Sequence, residues 1–215
     1  MIPSFALGRT QEILALLALL MREGKLKKQP IYIGGLGRVF TEIYDIESHR
    51  MHRQHTNLQL NEALQLIVLE KGQADTMKLG GGKIFVITAG MMSENTAAHD
   101  LAKRMIGDEK QSIFFVGYAD PDSPAGRLKA AKQGETFVFS PSVGRVTKKC
   151  DVQDFVLTSY SNREDVLELV AQVSPRAILL GHGDDAARNW FEEQIRARWP
   201  KIKVFQPQPA KMVSV

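Results

Sequence analysis

Short apolar runs recur along the chain, separated by stretches with helical periodicity. This is the pattern of strands buried on both faces with helices packed over them. The clearest run is residues 84–88 (IFVIT), apolar and β-branched after three glycines, which predicts a buried strand. It ends at Ala89-Gly90, where glycine's tolerance of positive φ permits a sharp turn. Ser93 or Asn95 can cap a helix running to about Met105, with Ala98, Leu101, Ala102 and Met105 on one face. Residues 113–116 (IFFV) predict a second strand, so residues 81–128 read as a βαβ unit of a parallel sheet. Ligands of such sheets sit at the carboxyl ends of strands, which directs attention to loops 90–96 and 118–127.

The same pattern organises the rest. Thr10, followed by Gln11 and Glu12, can cap a helix over the apolar run 13–20. Arg9 then stands at a helix mouth, where it either favours an anion or is a solvated surface charge. Residues 30–35 (PIYIGG) predict a strand, followed by a helix through Val39, Ile43 and Ile46. Gly34, Gly35 and Gly37 miss the GxGxxG spacing, and no acidic partner follows, so a dinucleotide site is rejected. His49, His52 and His55 share no single helix face, and no further ligand completes a metal set, so segment 47–61 reads as solvated. Residues 60–70 predict a helix or an extended piece. Runs 136–139, 145–150 and 154–157, with turns at Pro141 and Gly144, predict an antiparallel or edge portion. A hydroxyl-dense loop at 158–162 precedes a helix over 163–172. The strand 176–180 (RAILL) leads into Gly181-His182-Gly183-Asp184, where His182 either reaches a ligand or is a turn histidine without a role. A helix over 186–198, a strand over 202–205 and a loose tail complete the chain.

Composition narrows the picture modestly. At 215 residues there is chain for one large domain or two small ones. No apolar run approaches the ~18 residues of a membrane span, and no signal-peptide pattern opens the sequence. The single Cys150 excludes an internal disulfide framework and suits a reducing compartment, which predicts a cytoplasmic protein. A net charge of +4 and a pI near 9.2 are compatible with a polyanionic partner.

Five segments, IPSFALGRTQEIL, TAGMM, FFVGYADPDSPAGRL, TSYSNRED and ILLGHGD, follow one another in an order that resembles the β-CASP nucleases. These are metallo-β-lactamase-fold RNA-processing enzymes, among them ribonuclease J and the nuclease subunit of the cleavage and polyadenylation specificity factor. The resemblance implies an α/β fold: a Rossmann-like, mainly parallel sheet flanked by helices over 1–156, and a metallo-β-lactamase-fold return segment over 157–215. It also implies that the zinc-binding half lies upstream of what this chain contains, as in a fragment or one half of a split protein. The expected role is the RNA-binding and specificity portion of a zinc-dependent exo- or endoribonuclease, not catalytic alone. The alternative is a degenerate pseudo-nuclease acting as scaffold or dimerisation partner. Two zinc ions belong to an intact relative and none to this chain by itself. The implied partners are RNA and either the missing lactamase half or a second copy, with no membrane.

Residue by residue, His182 in His182-Gly183-Asp184 matches a zinc ligand, usable only with the missing half. Segment 157–162 stands where relatives carry a serine, histidine and aspartate at the scissile phosphate. Thr158 keeps the small hydroxyl there, but Tyr160 replaces the histidine and Asn162 the aspartate. With a pKa near ~10, a tyrosine is a poor proton shuttle at neutral pH. Ser93-Glu94-Asn95 replace a glycine pair, and Ser123-Pro124 a Gly-Thr. Arg9 and Arg127 match arginines facing the RNA channel, so Arg9, Arg127, Thr158, Ser159 and Asn162 are the expected phosphate contacts.

Overall fold

The computed structural model describes residues 1–50, 52–157, 160–208 and 210. They fall into two compact units, one ending at residue 158 and the other beginning at 159.

In the first unit, β1 (Ile2–Pro3), β2 (Ile31–Gly34), β3 (Leu66–Val68) and β4 (Ile84–Ile87) form a parallel sheet in the order β1-β4-β2-β3. β5 (Ser112–Phe115) pairs in parallel with β8 (Asp151–Asp154). The backbone of Met1 joins the two ladders: its amino group donates to the Ser112 carbonyl at 2.6 Å, and its carbonyl accepts from Phe114 N at 2.9 Å. The strands therefore run β3-β2-β4-β1-β5-β8, and the two-residue β1 sits in the middle. The βαβ unit read from residues 81–128 exists, but its strands are not neighbours, because β1 lies between them.

Alternation along the strands feeds two apolar layers. On β4, Phe85 and Ile87 enter one cluster, with Leu101, Met105 and Leu128; Ile84 and Val86 face the other, with Ile13, Leu14 and Leu17. The second layer comes from α1 (Arg9–Arg22), with α2 (Leu36–Ile46) packed on its flank, and from the short α3 (Leu60–Ala63). The first comes from the short α4 (Gln73–Thr76), α5 (Ala97–Met105) and α6 (Pro124–Ala130). The hairpin of β6 (Thr136–Ser140) and β7 (Gly144–Thr147) packs beside α6 and is the expected antiparallel portion. The expected strand at 154–157 forms earlier, as β8, and rejoins the parallel arrangement.

Two caps differ from the sequence reading. Thr96, not Ser93 or Asn95, caps α5, its hydroxyl accepting from His99 N. α1 starts at Arg9 with Gly8 at its cap, so Thr10 lies inside the helix; its hydroxyl donates to the Phe5 carbonyl at 2.8 Å. Gln11 completes this corner. Its carboxamide oxygen accepts from Gly8 N at 2.8 Å, and its NH₂ lies 3.1 Å from both the Ala6 carbonyl and Thr41 Oγ1. Gln11 is 3% exposed, so Gln11→Ala leaves these groups unmet away from water and is expected to cost about 2–3 kcal/mol. Urea unfolding measures it, and a loss below ~0.5 kcal/mol would mean that the corner holds without the carboxamide.

The second unit contains α7 (Arg163–Val173), β9 (Ala177–Leu179), α8 (Asp185–Arg198) and β10 (Lys203–Phe205). β9 and β10 pair in parallel, and Leu167, Ile195 and Val204 form the core. Among the described residues, no helix is long and apolar enough to cross a membrane.

Candidate nucleic-acid interface

The carboxyl ends of β1, β4 and β5 meet at one edge of the first unit. Phe5, Arg9, Gly90 and Tyr118 line one small cleft there. Phe5 is 44% and Tyr118 57% exposed, whereas Arg9 is nearly buried and pairs with Glu12. A side chain at Gly90 would bring its Cβ to 3.3 Å from the Ser4 carbonyl carbon and 3.4 Å from Phe5 N. Residue 90 and the Ser4–Phe5 backbone thus approach closely, and a side chain there would require that backbone to give slightly; the left-handed positions of the loop are Met92 (φ 52°) and Asn95 (φ 64°). The aromatic pair escaped the sequence reading. Tyr118 carried a signal, standing just past the readable strand 113–116, whereas Phe5 carried none, because β1 is too short to be read.

The replaced loop residues have local work. Glu94 accepts from Ser142 N at 2.8 Å, tying loop 90–96 to the β6–β7 turn. Hydrogen bonds from Ser142 hold its carboxyl below the usual glutamate range. Beside it, His99 Nε2 lies 2.9 Å from Ser140 Oγ, both buried. Ser123 caps α6, its hydroxyl accepting from Gly126 N at 3.0 Å, and Pro124 takes the first helical turn, where its missing N–H costs nothing.

The expected site residues divide between the two units. Arg127 is half-buried on α6 in a separate shallow pocket with Pro121, Glu135 and Phe137, not in the cleft with Arg9. Thr158 and Ser159 lie outside the described residues. Tyr160, in the second unit, is 82% exposed. Asn162 caps α7: its carboxamide oxygen accepts from Asp165 N at 2.9 Å while the Asp165 carboxylate accepts from Asn162 N at 3.1 Å. His182 is exposed, with φ 54°, between β9 and α8. Among the described residues, no three His, Cys, Asp or Glu side chains converge as metal ligands. His182 has no ligand set around it, so these residues do not by themselves fit a zinc ion.

Comparison with known proteins gives this geometry its context. Residues 145–207 match the Zn-dependent metallo-hydrolase RNA specificity domain. The transcription termination factor FttA of Lokiarchaeum sp. is 26% identical over 86% of this chain and 31% of its own length. The probable RNase MJ4 of Methanocaldococcus jannaschii is 24% identical over 94% of this chain and 46% of its own. RNase aCSPSF2 of Saccharolobus solfataricus is 24% identical over 100% of this chain and 41% of its own. The chain thus spans less than half the length of each of these relatives. Residues 10–128 match the Beta-Casp domain, more than half of the chain, and the chain belongs to the β-CASP family.

Proposed function

We propose that this chain is the RNA-gripping portion of a β-CASP ribonuclease, holding single-stranded RNA for a zinc-binding lactamase half. The cleft between Phe5 and Tyr118 carries the reading. Two half-open rings at the carboxyl ends of parallel strands are platforms on which unpaired bases stack, and the chain's excess of cations attracts the phosphates. Arg9, Arg127 and the 158–162 loop are proposed to face phosphate. His182 is proposed as a ligand contributed to a metal site whose other members come from the lactamase half. The match to an RNA specificity domain supports the assignment of RNA as substrate, and the single cysteine a cytoplasmic setting.

The test is binding of a fluorescein-labelled single-stranded RNA to the full chain. Tyr118→Ala and Phe5→Ala are each expected to weaken it about five- to tenfold. Affinity should fall linearly on a log–log plot as salt rises. A double variant that binds as well as the parent would sink the reading. A salt-independent affinity for a mononucleotide would replace it with a small-molecule site.

A second reading, a degenerate relative acting as scaffold or dimerisation partner, draws on α2. Leu36, Val39, Ile43 and Ile46 form an exposed apolar stripe along it. Sedimentation showing a dimer that dissociates in Ile43→Glu, together with no RNA affinity, would favour it.

A further inference from the structure

Lysines stand ahead of the parallel strands of the first unit. Lys27 and Lys28 lead into β2, Lys78 and Lys83 into β4, Lys110 into β5 and Lys149 into β8. Parallel strands start at one edge, so these approaches lie together, at the edge opposite the cleft of Phe5 and Tyr118. Local contacts agree. A Cβ at Gly82 would lie 3.1 Å from Gln29 Oε1, which puts Lys28 beside the approach to β4. Gln29, Lys83 and Lys110 line one cavity below Met1. The Gln111 carbonyl accepts from Asp151 N at 2.9 Å, so Lys110 and Lys149 stand at the entrances of neighbouring strands.

Charge at the two edges differs. Lys27, Lys28, Lys78, Lys110 and Lys149 are exposed, and none forms an ion pair with a described residue. The acids beside them are mostly engaged. Glu23 pairs with Lys25 at 2.8 Å, the Asp108 carboxylate accepts from Lys110 N and Gln111 Nε2, and Asp151 accepts from Gln153 Nε2; Glu109 is exposed. At the carboxyl edge, Arg9 pairs with Glu12 and Arg38 with Glu42, and Asp120 and Asp122 are exposed. The lysines therefore face away from the cleft. From β2 to β8 the row crosses four strand spacings, about 19 Å, over which one strand of a nucleic-acid duplex carries about five phosphates.

The residue types restrict the ligand. Segments 22–30, 78–83, 107–111 and 148–150 contain no aromatic residue, so nothing there stacks on a base. Among the described residues, none of the exposed large apolar side chains falls in them either, and a protein interface would need such a core. Lysine ammonium groups are point charges that meet phosphate without reading sequence. A double helix keeps its bases stacked inside and offers backbone outward, which is what such a row can hold.

We propose that this amino edge is a second RNA contact, gripping the phosphate backbone of a double-helical stretch outside the cleft without reading its bases. It deepens the reading above by naming the substrate class, a structured RNA with a stem at one edge and an unpaired stretch at the other. It rests on that reading only for RNA as the ligand.

The probe is a fluorescein-labelled blunt RNA duplex of about 12 base pairs, added to the full chain and followed by anisotropy at about 50 mM salt. Saturable binding that falls steeply with salt is expected. Lys28→Gln, Lys110→Gln and Lys149→Gln combined should weaken it about tenfold or more, reduce the log–log salt slope by about two, and leave the circular dichroism melt unchanged. The control removes equal charge through Lys71→Gln, beyond the carboxyl end of β3, and Lys201→Gln and Lys203→Gln in the second unit, and should bind as the parent does. Equal weakening by both sets would reduce the effect to net charge and overturn the proposal. So would no saturation at about 100 μM chain. Displacement of the duplex by an equal concentration of a polyglutamate peptide of matched charge would also overturn it, giving the edge to an acidic protein. A single-stranded RNA of about four nucleotides, read separately, tests the cleft. If Phe5→Ala and Tyr118→Ala fail to weaken that RNA, the cleft reading fails, while the duplex result decides the amino edge by itself.

Discussion

Gly126→Ala is expected to lower the thermal midpoint of the first unit by about 10 °C, from a destabilisation of about 3–5 kcal/mol. A Cβ at this buried glycine would lie 2.0 Å from the Asp120 carbonyl oxygen, 2.7 Å from its carbon and 2.8 Å from Pro121 Cα. All three are backbone atoms, so no side-chain rotation relieves the overlap. The Asp120 carbonyl is also held in place, accepting from Ser123 N at 2.9 Å and from the Ser123 hydroxyl at 2.6 Å. Either loop 118–127 moves or α6 slides, and α6 carries the fully buried Ala125 and Leu128. Scanning fluorimetry measures the shift. Gly107→Ala is the control, since a Cβ there meets nothing within 4 Å, and it should change stability by less than about 1 kcal/mol. Equal midpoints for the two variants would show that the loop yields freely. Because Tyr118 opens the same loop, Gly126→Ala should also weaken RNA binding.

Legibility in the sequence tracked how many residues each feature had in which to declare itself. β4 and β5 were readable because their apolar runs are buried on both faces, and α5 because Ala98, Leu101, Ala102 and Met105 repeat at helical spacing. The two residues of β1 are too few for any period, so the sheet's middle strand was invisible. β8 (DVQD) was misplaced by three residues because only Val152 carries an apolar signal. Its strand state comes from pairing with β5, a tertiary cause. Gly90 was rightly singled out as a turn point, but for a φ it does not adopt; its constraint is Ser4 and Phe5, residues far away in sequence. At the candidate site, the motifs located the loops but not the geometry within them. Arg9 and Arg127 share a resemblance to channel arginines, yet they line different pockets. Glu94 read only as a departure from the relatives' glycine pair; its partner Ser142 comes from a hairpin whose packing no local pattern encodes.

A free Met1 amine should make the 215-residue chain lose stability as pH falls from 8 to 5, by up to about 4 kcal/mol relative to the same chain with Met1 acetylated. The amine is buried in the sheet, where loss of hydration disfavours its charged form; the nearby Cys150 pulls weakly the other way, and the balance lowers its pKa from 8.0 to about 5. The unfolded chain holds a proton there below about 8 and the folded chain only below about 5. Between those values the unfolded state binds more protons, so stability rises with pH, is fully present above 8, and is lost as pH falls toward 5. Acetylation removes the titration but keeps an N–H for the Ser112 carbonyl, and the acetyl methyl enters the cavity below Met1. Every other titrating group is common to both forms, so the difference between their urea unfolding free energies isolates this amine. A difference that stays flat from pH 8 to pH 5 would mean that water reaches Met1 through the cavity. A slope of the expected sign would mean that the amine is shielded from water and uncharged near pH 7, its lone pair and N–H groups held inside the sheet.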